Sequence, residues 1–320
     1  MVFSYDKIRH MHLTRHISFD ITMAMCNVTR FVLLCLIFSV SYPECSNACE
    51  WGMNILDCCK LYGAKTFLKY VTVTGLWKTL NQTKDATILL PADLAFGRLP
   101  QDVMSNNNTM REILLYHILP HSTNTTQLVN DQILPSDASG GQAVRFNKYS
   151  KANTTLQVIT SSGAVIIRGD ENATNGVIHL LDRVMYPLPS GSLYEYIANT
   201  GSYQTLLLLA AKAQLLDTLK EGTYTLFAPN DEAFSKLPAG AVAGLLSNIP
   251  KLITVLQNHI VSSTIYSAGI KVIGTGKTLS GADFSANATS VKFGNVTATI
   301  VNADRSATNG VLHEIDSVLM

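Results

Sequence analysis

Arg168-Gly169-Asp170 sets a guanidinium and a carboxylate on either side of one glycine. This is the tripeptide pattern that integrins read, using the guanidinium on one side and the carboxylate on a bound metal on the other. Gly276-Lys277-Thr278 imitates the tail of a phosphate-binding loop, but the glycine required five positions earlier is Lys271, which removes that reading. Histidines that could act as bases or metal ligands stand at His117, His179, His259 and His313. Thiols cluster at Cys45, Cys49, Cys58 and Cys59, with two more at Cys26 and Cys35. No nucleophile elbow, zinc-protease helix or dinucleotide fingerprint accompanies them, so no catalytic residue, cofactor or metal ligand is assigned and the chain is not read as an enzyme.

Two stretches of the chain occur twice. Pro91-Ala92-Asp93-Leu94-Ala95-Phe96-Gly97-Arg98-Leu99-Pro100 returns as Pro229-Asn230-Asp231-Glu232-Ala233-Phe234-Ser235-Lys236-Leu237-Pro238, a shift of 138 positions. Ala173-Thr174-Asn175-Gly176-Val177-Ile178-His179 returns as Ala307-Thr308-Asn309-Gly310-Val311-Leu312-His313, a shift of 134. The near-equal offsets describe one folding unit of about 135 residues used twice, an ordinary domain size. Residues present in both copies are candidates for holding the fold. Asp170 falls under this rule, because Asp304 occupies the same place in the second copy.

The elements that must position these residues follow from local pattern. Asn54 to about Leu80, Ser192–Asn199 and Tyr203–Leu219 read as helices, and Ala86–Leu90 and Thr223–Phe227 as matching strands. The Leu206–Leu209 cluster reads as a helix packed into a core rather than a lipid groove. After Pro91 and Pro229 the chain enters helices. There Asp93 and Asp231 are placed to accept unpaired amide hydrogens, while Phe96 and Phe234 point back to the core. Helices over Met110–Leu119 and Pro250–Val261 carry His117 and His259 on apolar faces, which predicts buried neutral imidazoles. His179 and His313 read as strand residues. Asn175-Gly176 and Asn309-Gly310 read as two-residue turns whose residues tolerate positive φ.

Composition bounds the rest. A chain of 320 residues with 47% hydrophobic content supports two ordinary cores. Phe31–Val40 is a ten-residue apolar run after Arg30 and before Ser41, the pattern of a secretory signal over 1–41. As a helix it rises only about 15 Å, short of a bilayer core near 30 Å. Without 1–41 the chain has 20 basic and 21 acidic residues, a net charge of −1 that offers no field for nucleic acid. No transmembrane span is expected, and the location expected is secreted, in the extracellular space or matrix. Residues 42–59 form a cysteine-containing segment, 52–188 the first unit and 189–320 the second. Four thiols in an oxidising compartment predict disulfides, with Cys58–Cys59 disfavoured by vicinal strain; a zinc site is the alternative, though no histidine is near. Seven Asn-x-Ser/Thr triplets follow the leader, at Asn81, Asn107, Asn124, Asn153, Asn172, Asn287 and Asn295, and predict a glycosylated surface.

Three ordered motifs, each found twice, carry a family resemblance. Thr225–Phe234, Asn258-His259 and Ala307–His313 resemble the first box, the Tyr-His motif and the second box of the fasciclin (FAS1) domain. In the first unit Ile88–Asp93, Tyr116-His117 and Ala173–His179 match the same three. The resemblance covers residues 52–320 and is similar to that of periostin-type secreted adhesion proteins. It implies an α+β fold, each unit a β-sandwich or wedge with a layer of helices. It also implies a non-enzymatic adhesion or matrix role through receptors (integrins among them), matrix proteins or glycans. Tyr116, His117, Arg168, Gly169 and Asp170 are the candidate adhesion residues. A carrier with an apolar cleft between helices and sheet is the alternative function.

Overall fold

A computed structural model describes Cys49 and residues 52–151 and 154–320. The leader 1–41, Cys26, Cys35, Cys45 and Asn153 lie outside the described residues.

Each unit is a mixed seven-stranded sheet against a helical layer, the α+β architecture expected. In the first unit the chain runs through helices Ile55–Leu61, Lys65–Val73 and Trp77–Gln82 into β1 (Thr87–Pro91). Helix Asn107–Tyr116 follows, then β2 (Ile118–Leu119), β3 (Gln132–Pro135), β4 (Ala143–Ser150), β5 (Gln157–Ser161), β6 (Ala164–Ala173) and β7 (Gly176–Leu181). The strand order is β2-β1-β7-β6-β5-β4-β3. β1 and β7 run parallel and every other pair is antiparallel. β6 pairs with β5 only through Val165 and Ala164 and with β7 along the rest of its length, so one long strand joins the two halves of a wedge.

The second unit repeats the plan. Its strands are β8 (Tyr224–Pro229), β9 (Ile260–Val261), β10 (Thr275–Lys277), β11 (Asp283–Ala286), β12 (Ser290–Phe293), β13 (Val296–Ala307) and β14 (Gly310–Ile315), in the order β10-β11-β12-β13-β14-β8-β9. Each unit has its own apolar core, one centred on Ile88, Phe67 and Ile178 and the other on Leu226, Leu252 and Leu312. A third cluster crosses between them, joining Tyr149 to Phe227, Ile265, Ile270 and Phe284.

Several local expectations are corrected. The helices that carry the Tyr-His and Asn-His pairs end at Tyr116 and Gln257, and the residues expected as their last turns are strands β2 and β9. Tertiary pairing decides this, because β1 and β8 claim those residues for a ladder: Leu89 N–H donates to the His117 carbonyl at 2.9 Å, and Phe227 N–H to that of His259 at 2.8 Å. His117 and His259 therefore stand just beyond the helices. The single helix expected over Tyr203–Leu219 is two, Gln204–Lys212 and Leu216–Lys220, broken at Gln214 with φ 56°.

Candidate functional site

The repeated polar residues are bound into the backbone in the same way in both units. Met185 N–H donates to His117 Nε2 at 2.9 Å, so the proton sits on Nδ1, which donates to the Ile113 carbonyl at 2.7 Å. His259 does the same between Leu319 N–H at 2.9 Å and the Val255 carbonyl at 2.8 Å. Each ring thus ties the end of a helix to the segment leaving the sheet. Burial pushes both imidazoles down to about 4, against the opposing pull of the carbonyl bond, and keeps them neutral.

Asp93 and Asp231 cap helices, but not the ones that follow them. Asp93 accepts from Thr66 N–H at 2.8 Å, and Asp231 from Gln204 and Thr205 N–H at 3.1 and 2.8 Å, so each serves a helix earlier in the chain. The helix after Pro229 is capped instead by Asn230, which accepts from Ala233 N–H. Phe96 and Phe234 are buried as expected.

Asn175 and Asn309 also differ from their sequence reading. Neither has positive φ. Asn175 Oδ1 accepts from Ile55 N–H, and its amide donates to the Leu80 and Thr83 carbonyls, locking the β6–β7 turn to the helical layer. Asn309 bonds Leu193 N–H and the Leu219 carbonyl in the same manner. The glycines that follow are required by close approach: a Cβ on Gly176 would overlap the Ala86 carbonyl oxygen, and one on Gly310 that of Tyr224.

Arg168-Gly169-Asp170 lies on a β-bulge. The register of β6 on β7 steps from Arg168↔Leu180 to Glu171↔Ile178, so Gly169 and Asp170 together face His179. Asp170 has φ 63° and donates its N–H to His179 Nδ1 at 3.0 Å, while His179 Nε2 donates to the Thr123 carbonyl at 2.8 Å. The Asp170 carboxylate accepts from Thr125 N–H at 2.6 Å and from its hydroxyl, and Arg168 pairs with Glu171. The second unit builds the same bulge with Asp304 (φ 62°), His313, the Ile265 carbonyl and Ser267. Burial lowers both imidazoles, opposed by the neighbouring aspartates and carbonyls.

The two bulges differ in what they meet. Asp304 receives Arg183 of the first unit at 2.7 Å, whereas the Asp170 side chain is 37% exposed. Burial raises the Asp304 carboxyl, but Arg183, His313 and the Ser267 bonds outweigh it and hold it below the usual carboxylate range. Around this ion pair the units interlock. Tyr149 of β4 donates to the Thr264 carbonyl at 3.2 Å and accepts from Tyr266 N–H at 3.0 Å. Arg145 reaches from Asp131 (2.7 Å) to the Thr308 carbonyl (2.9 Å). Two glycines admit the rings: a Cβ on Gly269 would meet Tyr149, and one on Gly163 would meet Tyr266.

A cavity of about 410 Å³ opens at this junction, lined by Tyr116, Gln142, Arg145, Ser162, Tyr266 and Ser306 among others. Tyr116 donates to or accepts from Ser162 Oγ at 2.7 Å, Tyr266 pairs with Ser306 at 3.2 Å, and Gln142 Oε1 is buried without a partner. Burial raises the phenols of Tyr116 and Tyr266 above their ordinary range. This cavity lies between the units, not in the helix–sheet cleft considered for a carrier. Tyr116 and His117 are 1% and 0% exposed, so no macromolecular receptor touches His117 in the folded chain and Tyr116 faces only the junction.

Cys49 and Cys58 are bridged, and Cys59 is a buried free thiol that burial pushes up to about 12. Among the described residues no group of three or more His, Cys, Asp or Glu could hold a metal ion, and no helix is long and apolar enough to cross a membrane. Asn81, Asn107, Asn172, Asn287 and Asn295 are exposed and Asn124 is half-buried.

The junction residues Arg145, Tyr149, Arg183 and Tyr266 escape the sequence reading, which weighs what the copies share. The signal for them is where the copies differ.

Comparison with known proteins places these features. The fasciclin domain model matches residues 63–187 and 201–320. Transforming growth factor-beta-induced protein ig-h3 from Sus scrofa is 30% identical over 242 residues, covering 73% of this chain and 34% of that protein. Human periostin is 27% identical over 268 residues, covering 81% of this chain and 31% of that protein. The chain thus spans about a third of the length of these curated relatives. A solved FAS1 domain pair from the insect cell adhesion molecule Fasciclin I aligns with 80% of this chain and 96% of its own, at a TM-score of 0.37 and 19% identity. Matched by the family model across both repeats, the chain belongs to the fasciclin domain family.

Proposed function

We propose that the protein is a secreted, non-enzymatic adhesion or matrix protein that binds receptors, matrix proteins or glycans through the outer surfaces of its two fasciclin domains. The observation that carries this reading is the matched use of polar residues. In both units the shared histidines, asparagines and aspartates are spent on backbone bonds, which leaves recognition to surfaces that differ between the copies. The relatives support it: the curated matches include periostin and transforming growth factor-beta-induced protein ig-h3. The apolar run after Arg30 supports export to the extracellular space, and the sequons agree with that compartment. Arg168, Gly169 and Asp170 form the integrin-type motif; for Asp170 to bind a receptor metal, its carboxylate must leave Thr125.

The test immobilises the glycosylated chain and measures attachment of integrin-bearing cells and capture of matrix proteins and glycans. Retention above an unrelated glycoprotein is expected, and retention equal to it refutes the reading. Asp170→Glu run alongside decides the motif: equal attachment removes the tripeptide from the mechanism.

A second reading, a small-molecule carrier, is favoured by the junction cavity with its orphaned Gln142 Oε1. Native mass spectrometry of the chain purified from its source would show a bound small molecule if that reading holds.

A further inference from the structure

The bulge of the second unit is covered by a neighbour and the matching bulge of the first is not. Superposing the two hydrogen-bond networks fixes the correspondence residue by residue. Thr87 Oγ1 bonds the His121 carbonyl and accepts from Thr123 N–H, as Thr225 does with Ser263 and Ile265. Thr125 holds Asp170 as Ser267 holds Asp304. Asn124, between Thr123 and Thr125, therefore occupies the place of Tyr266. Asn172 faces Val177 as Ser306 faces Val311, so Asn172 occupies the place of Ser306.

Tyr266 and Ser306 are junction residues. Tyr266 is 1% exposed, takes the Tyr149 hydroxyl on its N–H and lies against Gly163. Ser306 bonds Tyr266 and lines the junction cavity. At both of these positions, and on the same face as the half-exposed Asp170, the first unit carries an asparagine that opens an Asn-x-Thr triplet: Asn124-Thr125-Thr126 and Asn172-Ala173-Thr174. The Asn124 side-chain nitrogen Nδ2 makes no hydrogen bond among the described residues, while its Oδ1 is buried without a partner. Asn172 is exposed and makes one at 3.4 Å, to the Asp170 carbonyl.

We infer that N-linked oligosaccharides on Asn124 and Asn172 cover this face of the first unit, filling the place that domain–domain packing fills on the second. An N-glycan is bulky and hydrated, and neither property fits the close, glycine-lined contact that Tyr149 and Tyr266 make. The face is thereby closed to another fasciclin domain docking in the manner of this pair, and Asp170 is screened between the two sugars. The inference does not rest on the adhesion reading but bears on one part of it: with both sugars in place Asp170 is withheld from a receptor, so the glycosylated chain and its Asp170→Glu variant should attach cells equally.

The test takes the chain secreted from a eukaryotic cell line and maps both sites by glycopeptide mass spectrometry. It then compares that chain with a Thr126→Ala/Thr174→Ala variant, whose lost hydroxyls make no hydrogen bond among the described residues. The two proteins are labelled with hydroxyl radicals and with a carbodiimide–amine reagent. Expected are high occupancy at Asn124 and Asn172, and a several-fold rise in labelling of residues 121–129 and of Asp170 in the variant. Residues 263–269 should label equally in both proteins, reporting an intact junction. Either asparagine recovered largely unmodified overturns the inference, as does labelling of 121–129 and Asp170 that does not change. A crosslink from Asp170 to a second copy of the chain with both sugars present would overturn it too.

Discussion

Lowering the pH should unfasten the first unit through His117, and the size of the effect follows from its surroundings. The ring is fully buried, donates from Nδ1 to Ile113 and accepts Met185 N–H on Nε2. A second proton on Nε2 would point a donor at a donor and place a charge in the core. Burial holds the folded group at about 4, whereas an unfolded histidine titrates near the ordinary 6.5. The sign follows: below 6.5 the unfolded chain takes up the proton first. Stability is therefore complete above that pH, falls as pH drops towards 4, and falls no further once both states are protonated. The full interval is worth about 3 kcal/mol, and at pH 5 the loss is about 2 kcal/mol. Trp77 opens a helix of the first unit and no tryptophan lies in 189–320, so tryptophan fluorescence carries no signal from the second unit. Urea unfolding followed by that signal at pH 7.5 and 5.0, for the parent and for His117→Gln, isolates the group because other titrations cancel in the difference. The variant should be weaker at pH 7.5 and should lack about 2 kcal/mol of the parent's loss at pH 5. An equal loss in both proteins refutes the assignment of that loss to His117.

Four further outcomes are expected. Gly310→Ala forces a Cβ onto the Tyr224 carbonyl and should cost the second unit more than about 2 kcal/mol by far-UV circular dichroism; an unchanged midpoint would show that β8 and β14 can part freely. Asp231→Ala uncaps helix Gln204–Lys212 at two amides and should cost about 1 kcal/mol in the same assay. Arg183→Ala removes the link from the first unit to Asp304, worth about 1 kcal/mol after discounting for the partly exposed arginine. Small-angle scattering should then show a larger radius of gyration, and an unaltered profile would assign the junction to Tyr149 and Arg145. Cys59, with its thiol near 12, should resist a disulfide reagent at pH 8 until urea unfolds the chain; rapid reaction of the native protein would contradict its burial.

How far the site was legible depends on range. The duplication, the burial of Phe96 and Phe234 and the neutral state of His117 and His259 follow from local pattern, because a repeated polar residue in an apolar setting has few ways to be satisfied. The partners did not follow. Asp93 sits at the start of one helical segment and caps another that ends 20 residues earlier, a choice made where two helix termini meet in space. Ile118 and Ile260 continue a helical period and are strands, because β1 and β8 present unpaired edges to them. Asn175 resembles a turn former and is a three-bond clamp.

The sequence by itself determined that one domain is used twice and that the shared positions serve architecture, because duplication compares the chain with itself. Only the tertiary structure decided how the copies meet. Tyr149, Arg145, Arg183 and Tyr266 lie in regions without a shared motif, and contact across the junction depends on geometry between segments more than 100 residues apart, such as Tyr149 and Tyr266. The same geometry buries one Asp bulge against an arginine of the other unit and leaves its twin half-exposed between two sequons, a difference that no local pattern contains.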